Sequence, residues 1–295
     1  MKRVFIIALV VLLALGFLFQ FIFTWHRTDD KTMEATIEKG ELVWVNKAAV
    51  GAWFLGMKMP GLSSIEHNDV VYYAYPEDFD SPMYEKQRMI SRVAGCPGDR
   101  IFIQGKILHV NGEDMGFPEK SKLGYRAMFN DDIDVQKLMD RYDLDQAESV
   151  IDSLGIYEVP LTEDMSDSLQ KDPDVDYVRL IKQVRGGANR VFPKSPYRSW
   201  SEDDFGPLEI PKAGDIIKIN YRNYDIYRNI IVQFEGHDVI KHKGEIHIDG
   251  KKSNSYTIKK NYYFVLDDNR DRYFDSREFG FVPEEYILGK VIGAE

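Results

Sequence analysis

Hydrophobic residues crowd the start of the chain. From Val4 to Phe23 it reads VFIIALVVLLALGFLFQFIF, with Gln20 the only clearly polar position. Twenty residues rising about 1.5 Å each cover the roughly 30 Å hydrocarbon core of a bilayer, so the pattern predicts one N-terminal transmembrane helix. Trp25 sits where an aromatic interface anchor is expected. Lys2 and Arg3 precede the run and Asp29 and Asp30 follow it, which puts the N-terminus in the cytoplasm and the remainder outside. A cleaved signal peptide needs a shorter apolar core and a small-residue cleavage site, whereas this run ends in Phe-Gln-Phe-Ile-Phe.

Beyond the anchor the period changes to two. ELVWVNK (41–47), DVVYYAYP (69–76), and RIFIQ and ILHVNG on either side of Gly105–Lys106 read as strands, the last two as a hairpin. A second set follows at DIIKINY (215–221), NIIVQFEG (229–236), DVIKHKGEIHIDG (238–250) and NYYFVLDD (261–268). Strands returning at this spacing predict antiparallel sheets with hairpin connections. Residues 113–210 differ. Val135, Leu138, Met139, Tyr142, Val150 and Ile151 fall partly at helical spacing, and Thr162 reads as the N-cap of a helix that Pro173 ends. The chain therefore divides into 1–25 (cytoplasmic end and anchor), 26–112 (first half of a β domain), 113–210 (an inserted subdomain) and 211–295 (second half of the β domain).

Composition narrows the chemistry. The formal net charge of −10, without a basic stripe, excludes nucleic acid as a partner. Cys96 is the only cysteine, so no internal disulfide and no thiolate metal cluster can form; it reads as a small buried hydrophobe beside a Pro-Gly turn. His26, His67, His109, His237, His242 and His247 lack ligand spacing, the last two flanking a turn at Gly244. No metal and no cofactor is expected.

Four stretches are more specific: KTMEATIEKGELVWVNK (31–47), NDVVYYAYPED (68–78), RMISRVAGCPGDRI (88–101) and DDNRDRYFDSREFGFVPEEYILGKV (267–291). Their order and spacing resemble the type I signal peptidase family, membrane-anchored serine proteases that remove signal peptides. That family places Ser-Met-x-Pro-Thr after its anchor, then a Gly-Asp-Val-Val strand, then Lys-Arg-Val-x-Gly-x-Pro-Gly-Asp. It finishes with Gly-Asp-Asn-Arg-Asp-x-Ser-x-Asp-Ser-Arg and a Gly-x-Val-Pro turn. SEDDFGPLEIPKAGD (201–215) resembles the large-domain segment of members from the Bacteroides group. The resemblance implies a mainly β, signal peptidase I-like antiparallel fold with an inserted mixed α/β subdomain. It also implies a bacterial inner-membrane location with the main domain periplasmic, and a shallow groove that takes a signal peptide as an added strand.

In this family a lysine, kept neutral by apolar burial, takes the proton of a serine nucleophile. Here the nucleophile position, before Met33, is Thr32, and the lysine position, before Arg92, is Ser91. Slippage cannot hide this: Met33 and Thr36 fix one motif, and Arg92, Gly95, Pro97, Gly98 and Asp99 fix the other. Ala35, Asp267 and Tyr273 also depart from the family's proline, glycine and serine. Asp268, Asn269, Arg270, Asp271, Asp275, Ser276 and Arg277 match, and Arg92, Asp268, Asp275, Ser276 and Arg277 are read as supports of the site. Lys31, Lys86 and His26 are possible substitute bases, none required by spacing. The expectation is weak or absent proteolysis in a protein that binds signal peptides of preproteins, or that pairs with an active signal peptidase or the secretion machinery. Two alternatives stay open: a working peptidase using Thr32 with another base, and a membrane scaffold.

Overall fold

Period-two patterning is realised as paired strands in both halves of the chain. The computed structural model describes Phe5, Ile6, Leu12, Gly16 and residues 19–54, 57–117, 121–130, 134–142, 144, 150–151, 156–182, 191–242, 244–271 and 274–294. Its largest sheet is built from β1 (Phe23–Arg27), β2 (Leu42–Asn46), β3 (Val70–Ala74), β4 (Arg88–Gly95), β5 (Tyr262–Leu266), β6 (Val282–Pro283) and β7 (Ile287–Ala294). The order across the sheet is β1-β2-β7-β3-β4-β5-β6, and each neighbouring pair is antiparallel.

Both faces of this sheet are covered, which is why the strands read as nearly continuous apolar runs. Val71 and Tyr73 of β3, Val93 of β4 and Val265 of β5 face one core with Phe279 and Ile287. Val43, Val45 and Ile90 face a second, smaller cluster completed by Met33 and Ile37. Those last two residues come from the loop between β1 and β2, so apolar burial clamps the segment carrying Thr32 against the sheet.

A further sheet places the strand Asp204–Glu209 beside the hairpin Arg100–Gln104/Ile107–Val110. It shares the largest core, which includes Ile101, Phe205, Ile231 and Phe264. The run 229–236, expected to be a strand, is instead helical: an α-helix over Tyr224–Asn229 passes into a π-helix over Ile230–Phe234. Ile230, Ile231 and Phe234 are all buried. A short, mostly apolar run does not separate the two conformations by periodicity.

The inserted region has its own core. Strands Leu123–Phe129, Val150–Ile151, Ile156–Leu161 and Val175–Leu180 form a four-stranded sheet. The helix Glu163–Gln170 packs against it, capped by Thr162, whose side chain accepts from Met165 N at 3.2 Å. Residues 191–210, grouped with the insertion by composition, belong elsewhere: Val191, Phe192, Phe205 and Leu208 pack into the largest core.

The run Val4–Phe23 lies mostly outside the described residues, and among the described residues no helix is long and apolar enough to cross a membrane. Phe23 is already extended. Strand pairing thus begins at Phe23, inside the segment 1–25, and Trp25 pairs with Trp44 across β1 and β2 while staying 64% exposed.

Two glycines of β7 give a paired prediction. A Cβ on Gly289 would collide with Val45 Cγ1 and lie 3.0 Å from the Asn46 carbonyl oxygen, while one on Gly293 meets nothing within 4 Å. Gly289→Ala should lower the unfolding free energy by about 1–3 kcal/mol. Gly293→Ala should change it by no more than about 0.5 kcal/mol. Urea unfolding of the full chain measures both, and equal effects would show that the close approach of β7 to β2 is wrong.

Candidate active site

The loop bearing Thr32 is tied at its neck and at its tip. Thr28 N donates to Glu41 O (3.1 Å) and Gly40 N to Thr28 O (2.9 Å), closing the loop base. At the tip, Asp30 Oδ1 accepts both from the Thr32 backbone N–H (3.0 Å) and from Thr32 Oγ1 (2.8 Å). An aspartate that takes the amide two residues on forms an Asx turn, which fixes the orientation of the intervening backbone.

The loop is then docked onto the end of β5. Asn269 N donates to Thr32 O at 2.9 Å, and Asp268 N approaches Met33 Sδ at 3.4 Å. Arg92 grips Asp268 through Nε to Oδ1 (2.8 Å) and Nη2 to Oδ2 (2.6 Å), and also donates to Thr36 Oγ1 (2.8 Å). Thr36 in turn donates to Asp268 Oδ2. Arg92 and Asp268, expected as supports, thus join the Thr32 loop to β4 and β5. A bidentate guanidinium–carboxylate pair suits this because its planar fork sets angle as well as distance.

Ser91 points to the other face of β4 and is fully enclosed. Its Oγ donates to Asp267 Oδ1 at 2.6 Å and lies 2.9 Å from the hydroxyl of Tyr73, which is left to donate to it. Asp267 Oδ2 accepts from Phe274 N (2.8 Å), and Asp267 N donates to Asp275 Oδ2 (3.0 Å). Asp275 caps the helix Ser276–Phe279 through Arg277 N (2.9 Å) and pairs with Arg277 Nη2 at 2.8 Å, while Ser276 Oγ accepts from Val265 N (3.0 Å). Asp275, Ser276 and Arg277 are all buried, so each polar atom in this layer depends on the next.

The electrostatics follow from that burial. Loss of solvent, reinforced by the Asp275 carboxylate, holds the Asp267 carboxyl well above the ordinary carboxylate range. Burial likewise raises the Tyr73 phenol, helped by Asp267 and, more weakly, by Asp30. Asp30 is the partner of Thr32, so Thr32 and Ser91 share one electrostatic neighbourhood.

Beside Thr32 is a shallow cleft of about 20 Å³, lined by His26, Asp30, Met33, Arg88 and Ile90 among others. That is room for about one water. Of the three possible substitute bases, His26 lines this cleft with its ring 5.2 Å from that of Tyr72. Lys31 Nζ lies 3.9 Å from Glu34 Oε1, and Lys86 is buried with Nζ 5.6 Å from the Tyr286 ring centre. Tyr273 lies outside the described residues. Asp30 and Tyr73 were not foreseen. An aspartate two residues before a threonine was a readable turn signal; Tyr73 needed the strand register, which sets Val71 opposite Ser91.

Comparison with known proteins agrees with the motifs. The family profile described as Signal peptidase, peptidase S26 matches residues 1–293. Signal peptidase I of Buchnera aphidicola subsp. Baizongia pistaciae is 50% identical over 42 residues, 14% of each chain. Signal peptidase I of Aquifex aeolicus is 28% identical over 148 residues, 41% of this chain and 56% of that protein. Signal peptidase IB of Staphylococcus aureus is 36% identical over 140 residues, 42% of this chain and 70% of that protein. The chain thus spans between about one seventh and about seven tenths of these relatives' lengths.

The raised Asp267 carboxyl makes a signed prediction. A carboxylic acid that holds its proton more tightly when folded loses stability as pH rises from about 4, the unfolded value, toward the raised one. Asp267→Asn keeps the hydrogen-bonding positions and removes the ionisation. Its stability should match that of the unsubstituted protein near about pH 4 and exceed it increasingly as pH rises from there into the neutral range, by at most about 1.4 kcal/mol per pH unit. Thermal unfolding across that range checks this, and a pH-independent difference would refute it.

Proposed function

Because the chain belongs to the signal peptidase family, peptidase S26, we propose that it is a membrane-anchored relative that binds the signal peptides of exported preproteins and cleaves them slowly or not at all. The observation that carries this reading is the hydroxyl network around Ser91. Where the resemblance calls for a neutral amine, Ser91 donates to Asp267 and accepts from Tyr73. A serine is no base near neutral pH, and losing general-base assistance costs about 10²–10⁴-fold. Thr32 adds a methyl group that crowds attack and restricts its rotamers. Its hydroxyl proton is directed at the exposed Asp30 carboxylate.

The apolar run Val4–Phe23 is the proposed anchor, holding the β domain on the periplasmic side of a bacterial inner membrane. Such a protein could serve as a holder of preproteins or as a partner of an active signal peptidase or of the secretion machinery. A second reading, a working peptidase, is favoured by one feature: His26 lines the cleft beside Thr32.

The purified full chain, mixed in detergent with a preprotein, should leave the signal junction intact or cut it about 10²–10⁴-fold more slowly than an active family member. Cleavage at an ordinary rate, lost in Thr32→Ala and in His26→Ala, would establish the second reading instead. The Asp267 side chain makes the rescue order-dependent. In Thr32→Ser/Ser91→Lys the new ammonium would pair with Asp267, which keeps a lysine charged rather than neutral. That double variant should stay inactive, whereas adding Asp267→Gly should raise cleavage by about tenfold or more. Equal activity of the two would remove Asp267 from the explanation.

A further inference from the structure

Away from Thr32 and Ser91, three side chains of different chemistry converge at one end of the β3–β4 pair. His67 sits in the turn that leads into β3. Cys96 and Asp99 bracket the turn that follows β4, closed by Asp99 N donating to Cys96 O at 3.0 Å. A His67 ring nitrogen, the Cys96 Sγ and an Asp99 carboxylate oxygen all lie within 4.8 Å of one another. The strands hold the two turns together: Asn68 N donates to Val93 O (2.9 Å) and Val93 N to Asp69 O (2.8 Å). The three donors are therefore brought together by backbone pairing rather than by flexible side chains.

We propose that His67, Cys96 and Asp99 form a binding site for a thiophilic divalent transition cation of the Zn²⁺ class, with a fourth position open to water. An imidazole nitrogen, a thiolate and a carboxylate oxygen are the donors that bind zinc, whereas calcium and magnesium prefer all-oxygen sets. Tetrahedral bonds of about 2.0–2.3 Å require donor separations of roughly 3.3–3.6 Å. His67 Nε2 and Asp99 Oδ2 now stand 2.7 Å apart and share a proton. Opening that contact by about 0.7 Å replaces one hydrogen bond with two metal bonds.

Asp99 is already braced for the task. Its Oδ2 accepts from Cys96 N (2.7 Å) and its Oδ1 from Asn111 Nδ2 (2.8 Å), contacts that orient a ligand from outside the coordination sphere. The His67 side chain is 36% exposed, so an ion can enter. On binding, Cys96 releases its thiol proton to solvent as the sulfur–metal bond forms, and the proton between His67 Nε2 and Asp99 is displaced to His67 Nδ1 or to solvent, which frees the Nε2 lone pair for the ion. The bound ion would tie the turn before β3 to the turn after β4, the strand that carries Ser91 and Arg92.

Cys96 is the only cysteine of the chain, so any sulfur–metal absorption reports this site alone. Adding Co²⁺ to the purified full chain should produce a sulfur-to-cobalt charge-transfer band in the near ultraviolet, saturating at one equivalent and bleached by Zn²⁺. Cys96→Ser should abolish the band. His67→Gln should weaken Co²⁺ binding by about tenfold or more without changing the circular dichroism of the fold. Zn²⁺ should raise the thermal midpoint of the unsubstituted protein and not that of Cys96→Ser. If Cys96→Ser does not fold, Zn²⁺ should still protect the Cys96 thiol of the unsubstituted protein from alkylation. No band and no protection in the folded protein overturns the proposal. So does Zn²⁺ stabilisation that persists in both variants.

Discussion

The fold around the candidate site depends on one ion pair. Arg92 reaches from β4 to Asp268 at the end of β5, and through Asp268 to Thr36 in the loop that carries Thr32. Asp268 is fully enclosed, and a carboxylate in that position is tolerable only while its partner stays in place. With the pair made, the backbone of Thr32 meets Asn269, and Met33 and Ile37 drop onto the sheet. Three chain segments far apart in sequence are thereby held in register.

Ser91 and Asp267 fit together as a pair. A short serine opposite a residue without a side chain would leave a buried void. Aspartate at 267 reaches Ser91 Oγ at 2.6 Å and occupies that space. It also brings a buried acid beside Asp275, tolerable because Phe274 N–H and the Ser91 hydroxyl satisfy its oxygens and Arg277 stands behind Asp275. Ser91, Asp267 and Tyr73 form one buried hydrogen-bonded triangle, in which burial beside Asp275 holds the Asp267 carboxyl well above the ordinary carboxylate range.

Much of this frame was legible in the chain. The apolar runs located the strands at 41–47, 69–76 and 261–268, the first buried on alternate residues and the last at every position, and Thr162 announced its helix by cap chemistry. The run 229–236 misled because a short, mostly apolar stretch carries too few positions to fix its period. Residues 191–210 misled because polar composition tracks solvent exposure rather than chain pairing, and Asp204–Glu209 pairs with a strand about 100 residues earlier. At the site, the motifs pointed to Thr32, Ser91, Arg92 and Asp268, which the fold places on the Thr32 loop, in β4 and at the end of β5. The Ser91–Asp267–Tyr73 triangle and the meeting of His67 with Cys96 and Asp99 could not be read, since both arise from strand register and turn geometry.

The central claim is that no amine activates the Thr32 hydroxyl, and acylation measures this without needing turnover. The full chain would be incubated with an activated ester of a signal-peptide sequence and its intact mass recorded, with Thr32→Ala as the reference. The account predicts no adduct on Thr32 above the level seen in that variant. A stoichiometric acyl adduct that maps to Thr32 and disappears in Thr32→Ala would contradict it.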